Sequence, residues 1–105
     1  MIIVTTDKVE GKKTKEVVGY VKGSTVRAKH IGKDIMAGLK TIVGGEIAEY
    51  TEMMDESRKI AIGRMVEDAK SKGANAIVAM RFASSAVMQG ASEFVAYGTG
   101  VILED

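Results

Sequence analysis

The chain has 105 residues, of which 46% are apolar and 28% charged. This length and composition predict one globular domain over residues 1–105 rather than a two-domain enzyme or a disordered chain. Fifteen basic and fourteen acidic side chains leave a net charge of +1, which argues against a strongly basic nucleic-acid binder. Because the chain has no Cys, disulfides, thiolate metal sites and cysteine nucleophiles are excluded.

The N-terminal apolar run, Ile2–Val4, is followed at once by polar and charged residues. A signal peptide needs a longer apolar core, and a membrane helix needs roughly 20 apolar residues. The sequence therefore predicts a cytoplasmic protein with no membrane partner.

The first third of the chain has the composition of β-strands. Ile2–Val4 begins it, a turn is expected over 10–13, and β-branched residues predict a strand over Val17–Val26. Asp34 is a suitable N-cap for a short helix that continues to about Ile42.

A glycine pair at 44–45 ends this helix, and a longer helix is predicted from about Glu46 to Lys72. Acidic residues in its first turns and basic residues in its last suit the helix dipole. Gly73 is expected at the C′ position that follows the helix. The spacing predicts a buried face composed of Ile47, Tyr50, Met54, Ser57, Ala61 and Met65.

The last third of the chain is poor in charge, with only Arg81 and Glu93 between residues 74 and 103. Its alternating pattern predicts a long antiparallel hairpin with a turn near Gln89–Ser92, in which Val78, Met80 and Phe82 share a face. Neither face of this hairpin is strongly polar, so one face is expected to cover the long helix and the other to need a partner. We predict a homo-oligomer with an α+β fold: a small antiparallel sheet, one short and one long helix, in the order β-β-α-α-β-β.

Segments in one order over nearly the whole chain carry a family resemblance. They are Ile2 to Thr6, Glu10-Gly11-Lys12, Val17 to Val26, Asp34, Val43-Gly44-Gly45, Tyr50, Ser57 to Ala61, Lys72-Gly73-Ala74-Asn75-Ala76-Ile77-Val78 and Gly98-Thr99-Gly100-Val101. Read together, they resemble the YbjQ family, which is labelled for heavy-metal binding.

The resemblance implies a small sheet packed with helices and a ring-shaped homopentamer whose subunits join through β-structure. It implies little about activity, because the family has no well-defined reaction. The chain departs from the family pattern at Glu46, where Arg is usual, and at Gly100, where Ala is usual.

Metal binding is the first chemistry to weigh, given that label. The chain offers no thiolate and one imidazole, His30, so a soft-metal site needs several copies of His30 on a ring axis. Hard ions could use Asp34, Glu46 and Glu49, although no calcium-loop spacing occurs. The alternative interpretation, an exposed loop histidine, is favoured for His30.

Other chemistries receive less support. The Gly44-Gly45 pair before a helix could expose N–H groups to an anion, but Glu46 and Glu49 oppose a phosphate there. Ser84-Ser85 has no base nearby in sequence, and no nucleophile motif occurs. The charged residues of the long helix, Asp68 and Arg64 among them, are expected to form a solvated, ion-paired surface. A local basic patch, formed by Lys8, Lys12, Lys13, Lys15, Lys22, Arg27, Lys29 and Lys33, keeps nucleic acid as a minor hypothesis.

These observations favour a non-catalytic, cofactor-free, homo-oligomeric binding or scaffold protein, with a pentamer as the state that the resemblance implies. The alternative is a metal-ion or oxyanion binder whose site lies between subunits. An enzyme with an inter-subunit site is the third interpretation, and the least supported one, because no nucleophile–base pair is visible.

Overall fold

The fold is seen in a computed structural model, which describes residues 1–28, 42–43 and 46–104. In chain order the elements are β1 (Ile2–Ile3), β2 (Thr14–Ala28), β3 (Ile42–Val43), β4 (Glu46–Ile47), α1 (Ala48–Ser71), β5 (Ala76–Met88) and β6 (Ala91–Leu103). Four strands form one sheet in the order β1-β5-β6-β2, and β3 pairs with β4 separately. The predicted α+β class is confirmed.

The long antiparallel hairpin is also confirmed, because β5 and β6 pair from Ala76↔Val101 to Met88↔Ala91. The sheet is mixed rather than wholly antiparallel, since β1 pairs parallel with β5. This difference arises because β2 and α1 lie between β1 and β5 in the chain, and such a long connection allows parallel strands.

The start of the long helix differs from the prediction. Glu46 lies in β4, opposite Val43 of β3, and α1 begins at Ala48. Glu46 and Ile47, which were predicted as helix, therefore form a strand. Of the predicted short helix, Ile42 lies in β3, and residues 34–41 are outside the described part of the chain.

The end of α1 agrees with the prediction. Gly73 has φ of 86°, which glycine adopts readily, and its N–H donates to the carbonyl of Lys70 at 3.0 Å. The N–H of Ala74 donates to the carbonyl of Ala69, also at 3.0 Å. These two bonds form a Schellman motif, which satisfies carbonyls at the helix end.

The main core lies between α1 and the face of the sheet that α1 covers. Ser57, Ala61 and Met65 are fully buried, as predicted, and Ala69 extends the same stripe. Met54 is half-buried, whereas the side chains of Ile47 and Tyr50 lie outside the described part. The sheet contributes residues that include Val21, Ile77, Met80 and Ala96.

A second, smaller core lies on the opposite face of the sheet. Ala76, Val78, Val101 and Leu103 are buried there, and the partly buried side chains Val4 and Val9 pack against them. The segment between β1 and β2 therefore covers one end of this face.

Ala79 divides β5 between the two cores. It has φ of 53°, in the left-handed region that non-glycine residues seldom adopt, and the pairing with β6 shifts between Val78 and Arg81. Because of this bulge, Val78 faces the second core while Met80 faces α1. The prediction that Val78, Met80 and Phe82 share one face is therefore wrong for Val78.

Candidate functional site

The two edges of the main sheet differ in whether side chains bind their outward backbone groups. β2 forms one edge, and side chains of α1 bind its backbone. The Lys22 N–H donates to Oδ2 of Asp68 at 3.0 Å. The Lys72 ammonium donates to the Tyr20 carbonyl at 2.8 Å and also contacts Oδ2 of Asp68 at 3.2 Å.

Arg64 extends this contact by one helical turn. Its guanidinium Nη1 donates to the Ser24 carbonyl at 2.7 Å. Backbone polar groups alternate sides along a strand, so residues two apart present theirs to the same side. The groups bound at Tyr20, Lys22 and Ser24 are therefore those that β2 turns away from β6. We call Arg64, Asp68 and Lys72 the edge caps.

The electrostatics of Asp68 follow from these contacts. The hydrogen bond from the Lys22 N–H lowers the pKa of the Asp68 carboxyl below its ordinary value of 3.8, and Lys72 lowers it further. Partial burial opposes this change without reversing it. Asp68 is therefore ionised near neutral pH and acts there only as an acceptor.

Close packing places the caps against β2. A Cβ on Gly23 would overlap the Met65 nitrogen and the Ala61 carbonyl oxygen, both backbone atoms of α1. Only glycine allows the strand and helix backbones to approach this closely. Arg64 and Asp68 lie one residue before Met65 and Ala69 of the buried stripe, and Lys72 follows Asp68 by four residues, so all three emerge beside the edge of β2.

At the other edge, the N-terminal segment lies outside β5 as far as Arg81. After Arg81, β5 itself is the edge strand. The Met80 N–H donates to the Val4 carbonyl at 3.0 Å, and Nη1 of Arg81 donates to the Thr5 carbonyl at 2.8 Å. Beyond Arg81 no strand of the described chain lies outside β5. We call residues 82–88 of β5 the open edge.

The register identifies which backbone groups the open edge presents. Since Lys22 and Ser24 turn outward, Gly23 turns toward Ala96 of β6, its partner. Ala96 is also the partner of Phe82, so the polar groups of Phe82 point away from β6. The same relation, through Thr25 and Phe94, makes those of Ser84 point outward. No hydrogen bond joins these outward groups to other described residues.

The side chains of the open edge are exposed and largely apolar. Phe82 is 43% exposed, Val87 52% and Met88 68%. The sequence has no charged residue between Arg81 and Glu93. Charges, prolines or covering elements ordinarily protect a sheet edge, and the open edge has none of these among the described residues.

Asn75 shows that the Gly73-Ala74-Asn75-Ala76 run has a structural role. Its carboxamide oxygen accepts from the Leu103 N–H at 2.8 Å, and its Nδ2 donates to the Leu103 carbonyl at 3.3 Å. The Asn75 side chain thereby holds the end of β6 beside the start of β5.

The predicted metal candidates are not brought together by any described contact. His30 and Asp34 lie outside the described residues; Glu46 lies in β4 and Glu49 in the first turn of α1, with their side chains also outside the description. Among the residues that the structure describes, no group of three or more His, Asp or Glu side chains could hold a metal ion. These assignments stay predictions.

Sequence reasoning missed the edge caps. The expectation of an ion-paired surface is met by Asp55 and Arg58, whose charged atoms lie 3.2 Å apart. It is also met by Asp68, which lies 3.2 Å from the Lys72 ammonium. What the sequence did not predict is that Arg64 and Asp68 also bind the backbone of β2. The signal was present in the four-residue spacing of the caps and in the position of Arg64 and Asp68 directly before Met65 and Ala69.

Comparison with known proteins identifies the family. The sequence matches the YbjQ family model, described as "Putative heavy-metal-binding", over residues 1–104. The chain belongs to the YbjQ family. The resemblance that the sequence motifs indicated is thus confirmed.

Relatives in this family share most of their length with this chain. A UPF0145 protein of Clostridioides difficile is 65% identical over 105 residues, which are 100% of this chain and 94% of the relative. One of Halalkalibacterium halodurans is 61% identical over 104 residues, covering 99% and 98%. One of Methanosarcina acetivorans is 55% identical over 101 residues, covering 96% and 95%.

A solved structure supports the fold. The crystal structure of a protein with unknown function from Pediococcus pentosaceus, of the DUF74 family, matches with a TM-score of 0.69. The sequences are 15% identical, and the match covers 99% of this chain and 98% of the other. In the part of the YbjQ chain that the structure describes, no helix is long and apolar enough to cross a membrane.

Proposed function

We propose that this YbjQ protein is a cytoplasmic, homo-oligomeric binding or scaffold protein whose subunits join through β-structure. The observation that carries the proposal is the open edge, where an unpaired strand and exposed apolar side chains coincide. Exposed apolar surface of this kind is typical of protein–protein contact. A ring of identical subunits, the pentamer that the resemblance implies, would cover the open edge of each subunit.

The face of the hairpin away from α1 supports the same proposal. Val95 and Tyr97 lie on this face and are half-buried within one subunit. Their strand partners on β2, Ser24 and Lys22, share that face. Beyond the second core, no described element covers it, so a neighbouring subunit would bury both side chains further.

Native mass spectrometry with elemental analysis tests the proposal. We expect a single oligomeric mass for the wild type, with five subunits if the ring forms. Val95→Lys and Tyr97→Lys are each expected to dissociate it, because a buried ammonium without a partner is strongly unfavourable. Glu67→Lys, on the exposed surface of α1, is the control for added charge. A monomeric wild type, or an oligomer unchanged in both variants, would contradict the proposal.

The family description favours one further candidate, a metal-ion or oxyanion site between subunits. Any such site in this chain would draw on His30, Asp34, Glu46 or Glu49 from more than one subunit. The test is equilibrium dialysis against Zn²⁺, Cu²⁺ or Ni²⁺, followed by metal analysis. His30→Ala should abolish stoichiometric binding, and Glu56→Gln serves as a control; equal loading of wild type and His30→Ala would exclude the histidine from the site.

A further inference from the structure

We draw no further inference here: the strongest candidate, the patch on the sheet face away from α1 where Tyr20, Lys22 and Tyr97 lie together, carries nothing because no residue that the structure describes shows what covers it.

Discussion

The middle of β2 and the outer half of β5 are stretches of edge in one sheet, yet among the described residues only the first is covered by another element. At β2, α1 lies so close that a Cβ on Gly23 would overlap helix backbone, and three polar side chains bind the strand. Along the outer half of β5, beyond Met80, the side chains of Phe82, Val87 and Met88 are exposed. The position of one helix thus decides which part of a long sheet edge is covered within the subunit.

The largest expected effect comes from adding a methyl group beneath α1. Gly23→Ala should destabilise the fold by about 3 kcal/mol or more, because the added Cβ meets backbone atoms that cannot move alone. It should also displace the caps from β2 and so remove the difference between the edges. Urea unfolding measures the free energy.

Gly63→Ala is the matched control for that substitution. No atom lies within 4 Å of a Cβ added there, and Gly63 lies within α1. Replacing a helical glycine with alanine should stabilise the fold by roughly 0.5–1 kcal/mol. Equal effects of the two substitutions would show that the close contact at Gly23 is not what positions α1.

A second way to sharpen the comparison is to place one charge on each strand. Val87→Lys and Val17→Lys replace similarly exposed side chains, 52% and 64% exposed. Each should change the unfolding free energy of a subunit by no more than about 0.5 kcal/mol. Only Val87→Lys should weaken the assembly, because Val87 lies on the open edge; dissociation by Val17→Lys alone, measured by native mass spectrometry, would place the interface on β2.

The pH dependence of the caps gives a smaller effect. The pKa of Asp68 is lowered in the folded protein, so its contribution to stability is fully present above pH 3.8, near the unfolded value. It is lost as the pH falls further, through the folded-state pKa. Asp68→Asn should therefore be less stable than wild type at neutral pH, and this difference should shrink toward pH 3. A difference that stays constant across that range would contradict the assigned pKa direction.

The smallest expected effect is at the far end of β2, where Arg27 forms an ion pair with Glu56 of α1. Glu56 is 64% exposed, so the pair is screened by solvent. Glu56→Gln should cost less than about 1 kcal/mol in thermal unfolding and leave the oligomer unchanged. A larger loss would mean that this pair, more than the Gly23 contact, holds α1 on the strand.

Local patterns predicted the elements whose neighbours are close in sequence. The stripe of Ser57, Ala61 and Met65 marked the buried face of α1, and Gly73 marked its end. The charge-poor last third predicted the β5–β6 hairpin. In each case, helical spacing, a positive φ or strand alternation is set within a few residues, so the sequence carries the information directly.

Pairings between distant residues could not be predicted in this way. The parallel partner of β1 and the bulge at Ala79 depend on register between segments far apart in the chain. The assignment of Glu46 to β4 depends instead on a local pairing with Val43, which the helical pattern of the following residues concealed. The caps show the same limit, because Asp68 and Lys22 are 46 residues apart. For the candidate metal site, the sequence supplied residue types but no contact that gathers His30, Asp34, Glu46 and Glu49.

The bulge at Ala79 acts as a phase shift in β5. Before it, Ile77 and Val78 supply one side chain to each core; after it, Met80 and Phe82 follow the α1 side. Since strand side chains alternate with a period of two, deleting this one alanine while keeping β1 in place would turn the outer half of the strand over. The Phe82 side chain would then lie on the opposite face of the sheet. A single residue therefore decides which face of the molecule carries this exposed apolar side chain.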